Sequence, residues 1–348
     1  MGALVDTDSS DYADAYESNS ENNQSDSQTD NELDSQFLRT TSQSSSYSKD
    51  NHYHQTIMKR LKKFDSQQPV PTKLNEQFIE CIQKRIDDYW HYDWYKLHPK
   101  LKDDHNLQIL KNSMSSVYGR NSIIISLNVQ YYEHNYKYLT EIGITVYDPR
   151  GNQLMMTPNS INIHIKIDDN QDLQNKSLIP NKSAYFNGKT SLLLNLDDAI
   201  DFVQGLIDFY LSIKQFPCCI IGHGLNSILN KLIYQGLKFP KTLLKYDTKE
   251  IFLLSGDEYT DASLMNALKV VNVPYAHLQN SGNDAYYTFL LATKLCDPDC
   301  REYYKLDDWQ PEIVTDGGPT RKRKFSDKSI VIDCRSVLEA IDVVLGDG

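Results

Sequence analysis

Apolar residues recur every four positions between residues 74 and 90, and this spacing predicts one face of an amphipathic helix. The residues concerned are Leu74, Phe78, Ile82, Ile86 and Trp90. The aromatic stretch that follows, Tyr89–His98, has two interpretations. It either packs an accessory helix, which is the more common use of such a cluster, or it stacks nucleic-acid bases.

From residue 122 the pattern changes to one typical of strands. Ser122–Val129 and Leu139–Tyr147 are rich in β-branched residues and predict buried strands. Gly143 in the second run would tolerate a bulge or a close backbone approach. Ile161–Ile167 alternates apolar and polar residues, which predicts a strand with one solvated face. Only about nine residues join the first two strands, so we expect an antiparallel hairpin.

Helical and extended patterns then alternate. We expect helices at 196–214 with Asn195 as the N-cap, at 225–237, at 263–271 and at 284–295, and short strands at Cys218–Ile221 and Ile251–Leu254. Three antiparallel strands followed by helix, strand, helix, strand, helix, helix resembles an α/β fold of the ribonuclease H-like kind. We therefore predict a mixed five-stranded sheet flanked by helices.

Charge is concentrated at the N-terminus. Residues 1–50 hold eleven acidic and two basic residues, a net charge of −9, while the whole chain carries −11. The remaining 298 residues are therefore close to neutral. The first 50 residues are mostly Ser, Asn, Gln, Asp and Glu, a composition that buries too little apolar surface to offset ordering entropy. We expect this acidic tail to be disordered.

Two short basic runs stand outside the strand and helix patterns. Met58–Lys63 is either a solvated turn of helix or a phosphate or partner contact. Arg321–Lys324 (RKRK) follows a glycine-proline stretch and is either part of a solvated linker or a nuclear-import signal. Six scattered cysteines and the lack of an apolar leader or membrane-length segment predict a reduced protein of the cytoplasm, the nucleus or both.

These patterns divide the chain into five parts. They are a disordered acidic tail (1–56), a helical accessory segment (57–121), a ribonuclease H-like domain (122–298), a polar linker with the basic tetrad (299–328) and a C-terminal strand and helix (329–348).

Three segments resemble the exonuclease motifs of the DEDD superfamily. They are Ile125–Gln130 (ISLNVQ) with Leu139–Gly143 (LTEIG), then Ile221–Ile228 (IGHGLNSI), then Leu278–Ala285 (LQNSGNDA). Their order and spacing over residues 122–296 are similar to a fungal family named for making a DEAD-box helicase fully active. The Asn-x-Gly-Asn-Asp-Ala run of the third segment is the most specific part of this resemblance.

In active members, the resemblance implies two divalent metals held by four acidic residues, with a histidine as general base. At the matching positions this sequence has Asn128, Gln130 and Ile228, with Gln279 in place of the histidine. Only Asp284 remains acidic, and one carboxylate cannot hold two mutually repelling cations. Glutamine cannot exchange a proton near neutral pH as histidine does. We predict that the metal-dependent reaction is lost and that Asp284 is at most a weak metal ligand.

Nearby residues leave an alternative open. Glu133 or Glu141 would have to replace the missing ligands, and His223 or His277 the missing base. Strand alternation does not place Glu133 on the face of Asn128 unless a bulge intervenes. Mg²⁺ or Mn²⁺ is expected as a cofactor only in this case.

The pocket could still bind a nucleic-acid strand without cutting it. Asn280, Asn283, Asp284 and the backbone amides at the start of the last helix are the candidate contacts. The leading hypothesis is therefore a catalytically inactive exonuclease-like protein that binds RNA or ribonucleoproteins, and the resemblance implies a setting in messenger-RNA export with a DEAD-box helicase. The alternatives are an active 3′–5′ exonuclease with a non-standard site and a protein-interaction module without nucleic-acid affinity.

Overall fold

A computed structural model describes residues 50–67, 76–151, 159–173, 175, 179–213, 217–256 and 262–309. Most of the acidic tail, the basic tetrad Arg321–Lys324 and the C-terminal strand and helix predicted from residue 329 lie outside these residues. Helix α1 (Asp50–Gln67) begins inside the predicted tail. The five-part division of the chain otherwise stays a prediction. In the described part of the chain, no helix is both long and apolar enough to cross a membrane.

Three helices precede the sheet. They are α1, α2 (Glu76–Trp90) and α3 (Asp104–Ser113), and α3 continues into a π-helical turn at Met114–Tyr118. The predicted amphipathic helix is confirmed by α2. The run Met58–Lys63 lies within α1, where Met58 and Leu61 pack against the core of the domain.

The aromatic stretch after α2 packs on itself. The rings of Trp90 and Trp94 stack with centroids 5.6 Å apart, and Tyr89 meets both edge-on. The Tyr89 hydroxyl also donates to Asp307, whose carboxylate pairs with the fully buried Arg301. The accessory helix is therefore tied to the end of the domain, and this geometry favours packing over base stacking.

The described residues form one six-stranded mixed sheet in the order β4-β3-β2-β1-β5-β6. The strands are β1 (Ile123–Tyr132), β2 (Asn135–Tyr147), β3 (Ser160–Ile167), β4 (Leu192–Leu194), β5 (Cys218–Gly222) and β6 (Leu244–Asp247). The first three pair antiparallel, as predicted, while β5 and β6 run parallel to β1 and β4 runs parallel to β3. The predicted fold class is confirmed, with six strands where five were expected.

Two differences explain the extra strand. The expected strand Ile251–Leu254 is wrong, because these residues belong to helix α6 (Thr248–Leu253) and its continuation. The Asp247 carboxylate caps this helix by accepting from Lys249 N–H, and the true strand, β6, ends at Asp247. A short buried apolar run has the same sequence signal in a strand and in a helix. Strand β4 has only three residues, which is too few for an alternation to show.

The four predicted helices are confirmed in the expected order as α4 (Leu196–Leu211), α5 (Leu225–Tyr234), α7 (Leu264–Val270) and α8 (Ser281–Leu295). Helix α9 (Pro298–Tyr303) was not predicted and lies at the start of the expected linker. Asn195 caps α4 as expected, its side chain accepting from Asp198 N–H at 2.8 Å.

Alternation along β1 separates two apolar cores. Ile123, Ile125 and Leu127 face the core formed with α4 and α5. Ile124 faces the other core, formed with α8 and the accessory helices. Polar residues continue the second face beyond Ile124, and the first of them, Ser126, donates to the Ala285 carbonyl of α8 at 2.7 Å. The polar end of this face is therefore covered by the start of α8.

Gly143 lets α8 reach the sheet. A Cβ at this position would overlap the Ser281 carbonyl oxygen and approach Gly282 N at 2.6 Å. The close backbone approach expected at Gly143 is therefore confirmed.

Gly143→Ala is predicted to lower the free energy of unfolding by about 2–4 kcal/mol, because the added methyl must push the start of α8 away from the sheet. Urea denaturation measures this change. Lys137→Ala, at an exposed position on the same strand, is the control and should shift stability by less than about 0.5 kcal/mol. Equal effects of the two variants would contradict the assigned contact.

Candidate functional site

The candidate site lies where helix α8 begins over strands β1, β2 and β3. The Asn280 side chain caps this helix by accepting from Asn283 N–H at 3.1 Å. Asp284 follows in the first turn. The predicted site residues Gln130, Gln279, Asn280, Asn283 and Asp284 come together here.

The Asp284 carboxyl group is almost fully buried, with 7% of the residue exposed. Its Oδ1 accepts from Gln279 N–H at 2.9 Å, and Gln130 Nε2 lies 3.5 Å from Oδ2. Burial is the largest influence on the pKa of Asp284 and raises it, while the hydrogen bond from Gln279 N–H lowers it. The charge of Glu141 also raises the pKa, and the net result is about 7. The remaining acidic residue of the motif is therefore half protonated near neutral pH.

Glu141 is occupied by hydrogen bonds inside the fold. Its Oε2 accepts from Ser281 N–H at 3.1 Å and from the Ser281 hydroxyl at 3.3 Å. His164 Nε2 lies 2.9 Å from the same oxygen. These contacts hold the start of α8 against β2 and β3, so Glu141 has a structural role.

The two other motif positions differ in their surroundings. Asn128 pairs with Gly143 in the sheet, and its Oδ1 is buried without a hydrogen-bond partner among the described residues. Ile228 is buried in the first apolar core beside Leu225 and Leu229. An isoleucine in a close-packed apolar core offers no oxygen or nitrogen to a metal or to a nucleotide.

Asn280 and Asn283 hold a loop over the start of α8. Asn280 Nδ2 donates to the carbonyls of Lys182 and Ser183 at 3.2 and 3.4 Å. Asn283 Nδ2 donates to Tyr185 O at 2.9 Å, while its Oδ1 accepts from a backbone N–H of the same loop. Both residues are buried. Their expected contact with nucleic acid stays a prediction, and it would require this loop to move.

The candidate substitute residues have other partners. Glu133 Oε2 accepts from Ile179 N–H at 3.0 Å, beyond a bulge that ends the regular part of β1. His223 uses both ring nitrogens, with Thr248 Oγ1 at 3.0 Å and Ala262 O at 2.7 Å. The His277 ring stacks on Tyr185. These contacts favour structural roles for all three.

A cleft of about 110 Å³ opens beside this polar cluster. Its polar lining includes Gln130, Gln279, Asn170, Asn175, Lys166 and Lys182. Among the residues that the structure describes, Glu141 is the one acidic residue in the lining, and its carboxylate already accepts the bonds described above. Neither lysine forms an ion pair with a residue that the structure describes. Two lysines and several amide residues are therefore part of the lining, and the Lys182 ammonium lies 5.6 Å from the centroid of the Tyr185 ring.

These side chains do not fit a two-metal centre. Two adjacent divalent ions need several oxygen ligands that carry negative charge. Within the described ranges, no group of three or more His, Cys, Asp and Glu residues is arranged to hold a metal ion. Of the two acidic residues at the start of α8, Glu141 is bonded to protein donors and Asp284 has a raised pKa.

The structure adds residues that sequence reasoning missed. His164, Lys166 and Lys182 contribute to the site or the cleft, and the hydroxyl of the exposed residue Ser191 lies 2.7 Å from His164 Nδ1. The alternation in Ile161–Ile167 does place His164 and Lys166 on one face. Nothing in the sequence, however, indicates which element covers that face.

The comparisons agree with this geometry. Residues 123–295 match the family described as "DNA polymerase III subunit epsilon-like, C-terminal domain", DEDDh_C. They span the sheet and the helices that surround the site. The match supports a ribonuclease H-like domain of the DEDD exonuclease type over residues 123–295.

Two proteins of Saccharomyces cerevisiae are similar in sequence. "Good for full DBP5 activity protein 2" is 32% identical over 216 residues, 55% of this chain and 38% of that protein. "Uncharacterized protein YDR514C" is 28% identical over 211 residues, 54% of this chain and 44% of that protein. The aligned part spans about two-fifths of the length of these relatives.

Solved structures with a similar arrangement include exonuclease I and the RNase domain of the yeast Pop2 protein. The first has a TM-score of 0.35 at 10% identity and covers 52% of this chain and 43% of that chain. The second has a TM-score of 0.31 at 12% identity and covers 56% and 82%.

Asp284→Asn is predicted to stabilise the protein above pH 7. The pKa of Asp284 in the folded protein, about 7, lies above the usual aspartate value of 3.8, so the folded protein binds the proton more tightly. The contribution of Asp284 to the free energy of unfolding is therefore fully present below about pH 4 and falls as pH rises towards 7. The amide removes this loss, keeps an acceptor for Gln279 N–H and should gain on the order of 2 kcal/mol at pH 8.

Thermal unfolding of both proteins at pH 5 and pH 8 measures this difference. The variant should gain more at pH 8 than at pH 5. An equal loss of stability at both pH values would show that the buried carboxylate is ionised and stabilising.

Proposed function

We propose that this protein is a degenerate exonuclease-type domain that binds single-stranded RNA without cleaving it. The proposal rests on the residues found at the four positions that the resemblance implies are acidic in active members. Asparagine, glutamine and isoleucine occupy three of them, and the fourth, Asp284, is buried and has a raised pKa. A site without clustered negative charge lacks the means to hold two metals, and it also lacks the repulsion that such charge exerts on phosphate.

The cleft supplies contacts suited to a phosphate backbone. Lys166 on β3 and Lys182 on the covering loop line it together with the amides of Gln130 and Gln279. Lysine and amide donors are common contacts to phosphate oxygens. Such binding depends on charge, so it should weaken steeply as salt rises.

The relatives suggest the setting. The yeast protein named "Good for full DBP5 activity protein 2" is similar over 55% of this chain. DBP5 is a DEAD-box helicase, and the proposed role is to present RNA to a helicase of this kind during messenger-RNA export. This role places the protein in the nucleus, the cytoplasm or both.

A protein-interaction module is the second candidate. Tyr136 and Tyr138 at the β1–β2 hairpin are 66% and 45% exposed, and Ile233 and Tyr234 at the end of α5 are 51% and 45% exposed. The Gln235 side chain donates to the Lys137 carbonyl, which ties the two elements together. Large exposed apolar side chains on adjacent elements are typical of protein-binding surfaces.

Fluorescence anisotropy with a 5′-labelled single-stranded RNA tests the leading proposal. Lys166→Glu with Lys182→Glu should weaken binding on the order of tenfold or more and lower the salt slope by about 2. The matched control reverses the charge of Lys241 and Lys245, two exposed lysines that do not line the cleft, and should bind as the unmodified protein does.

The same RNA incubated with Mg²⁺ or Mn²⁺ should keep its length. Shortening from the 3′ end that Asp284→Ala abolishes would instead establish an active exonuclease.

Absence of binding by the unmodified protein at low salt would favour the interaction module. In that case purified helicase should bind, and Tyr136→Ala with Tyr138→Ala should weaken that complex.

A further inference from the structure

A serine, a histidine and a glutamate form a hydrogen-bonded chain beside the cleft. Ser191 Oγ lies 2.7 Å from His164 Nδ1, and His164 Nε2 lies 2.9 Å from Glu141 Oε2. Ser191 is exposed, whereas His164 and Glu141 are buried. An accessible hydroxyl, a base behind it and a carboxylate behind the base is the arrangement that activates a serine for nucleophilic attack.

The neighbours of Glu141 decide which histidine nitrogen carries the proton. Glu141 Oε2 also accepts from Ser281 N–H, so this oxygen acts as an acceptor. His164 Nε2 therefore donates to it, and Nδ1 presents a lone pair to the Ser191 hydroxyl. Asn280 Nδ2 also lies 3.4 Å from Nε2, but it has a shorter bond to Lys182 O at 3.2 Å.

The fold holds the histidine ring in place. His164 pairs with Gly143 on β2, and its Cβ lies where a side chain on Gly282 would have to fit. The Phe186 ring packs against it with centroids 5.2 Å apart. Because these contacts fix the ring before any substrate arrives, the base needs no rearrangement to accept a proton from Ser191.

Ser191 stands at the edge of the sheet. It directly precedes β4, in which Leu192 and Leu193 are 38% and 52% exposed. Ser191 is thus an exposed residue with exposed apolar side chains next to it in the chain. A carbonyl compound with an apolar acyl group is the ligand that matches these neighbours.

We propose that Ser191, His164 and Glu141 form a second site, independent of the RNA-binding proposal, that hydrolyses esters with small apolar acyl groups. Ser191 Oγ bonds to the carbonyl carbon while its proton passes to His164 Nδ1. The carbon–oxygen bond of the ester then breaks, and the leaving alcohol takes that proton. Water releases the acid by the same steps, and Glu141 acts as a positioning residue that stabilises the charged imidazole.

A fluorophosphonate probe tests the site directly. It should label the full chain at one residue, identified as Ser191 by peptide mass, with loss of fluoride. Ser191→Ala should abolish this label and the hydrolysis of p-nitrophenyl butyrate. Ser227→Ala is the matched control, because it removes another exposed serine and should leave both signals unchanged.

Glu141→Gln separates an activated serine from a structural one. In protein shown by thermal unfolding to be folded, labelling should slow on the order of 100-fold, and the ¹⁵N signals of the His164 imidazole should report a changed tautomer. The proposal is overturned if the unmodified protein takes no label, if the label lies elsewhere than Ser191, or if Glu141→Gln changes neither the rate nor the tautomer.

Discussion

The close approach of helix α8 to the sheet is the constraint on which the rest of the site depends. Gly143 has no side chain, and this absence lets Ser281 and Gly282 lie against β2. Glu141 then accepts the Ser281 N–H that the first turn of the helix would otherwise leave unpaired. The same contacts bury Asp284 and bring it beside Gln130.

The fold around the motif is kept, although the residues at the motif positions differ from those of active members. The strand pairing, the glycine-histidine turn after β5 and the helix that carries Asp284 are those expected of an exonuclease-type domain. The side chains of the site bond to the backbone of the fold, since Gln279 N–H donates to the Asp284 carboxyl group and two asparagines donate to carbonyls of a covering loop. Beside these contacts lies a polar cleft whose lining includes Lys166 and Lys182.

The strands with strong β-branched runs and the capped helix after Asn195 could be predicted from the sequence, because each has a local signal. Only the resemblance to the exonuclease motifs placed Gln130 and Asp284 in one site. Sequence reasoning placed a strand at Ile251–Leu254, where a carboxylate cap at Asp247 begins a helix instead. It also missed the roles of His164 and Ser191, which come together only through the pairing of β3 with β4. Local periodicity reports which face a residue takes, while the identity of its partner depends on contacts between distant segments.

The loss of metal binding is the central claim, and calorimetric titration of the purified protein with Mn²⁺ tests it most directly. The structure predicts no saturable heat at micromolar concentrations of the ion, because Glu141 is bonded to protein donors and Asp284 is buried with a raised pKa. Binding of two ions that Asp284→Ala abolishes would contradict this account, since it would mean that the site rearranges to supply the missing ligands.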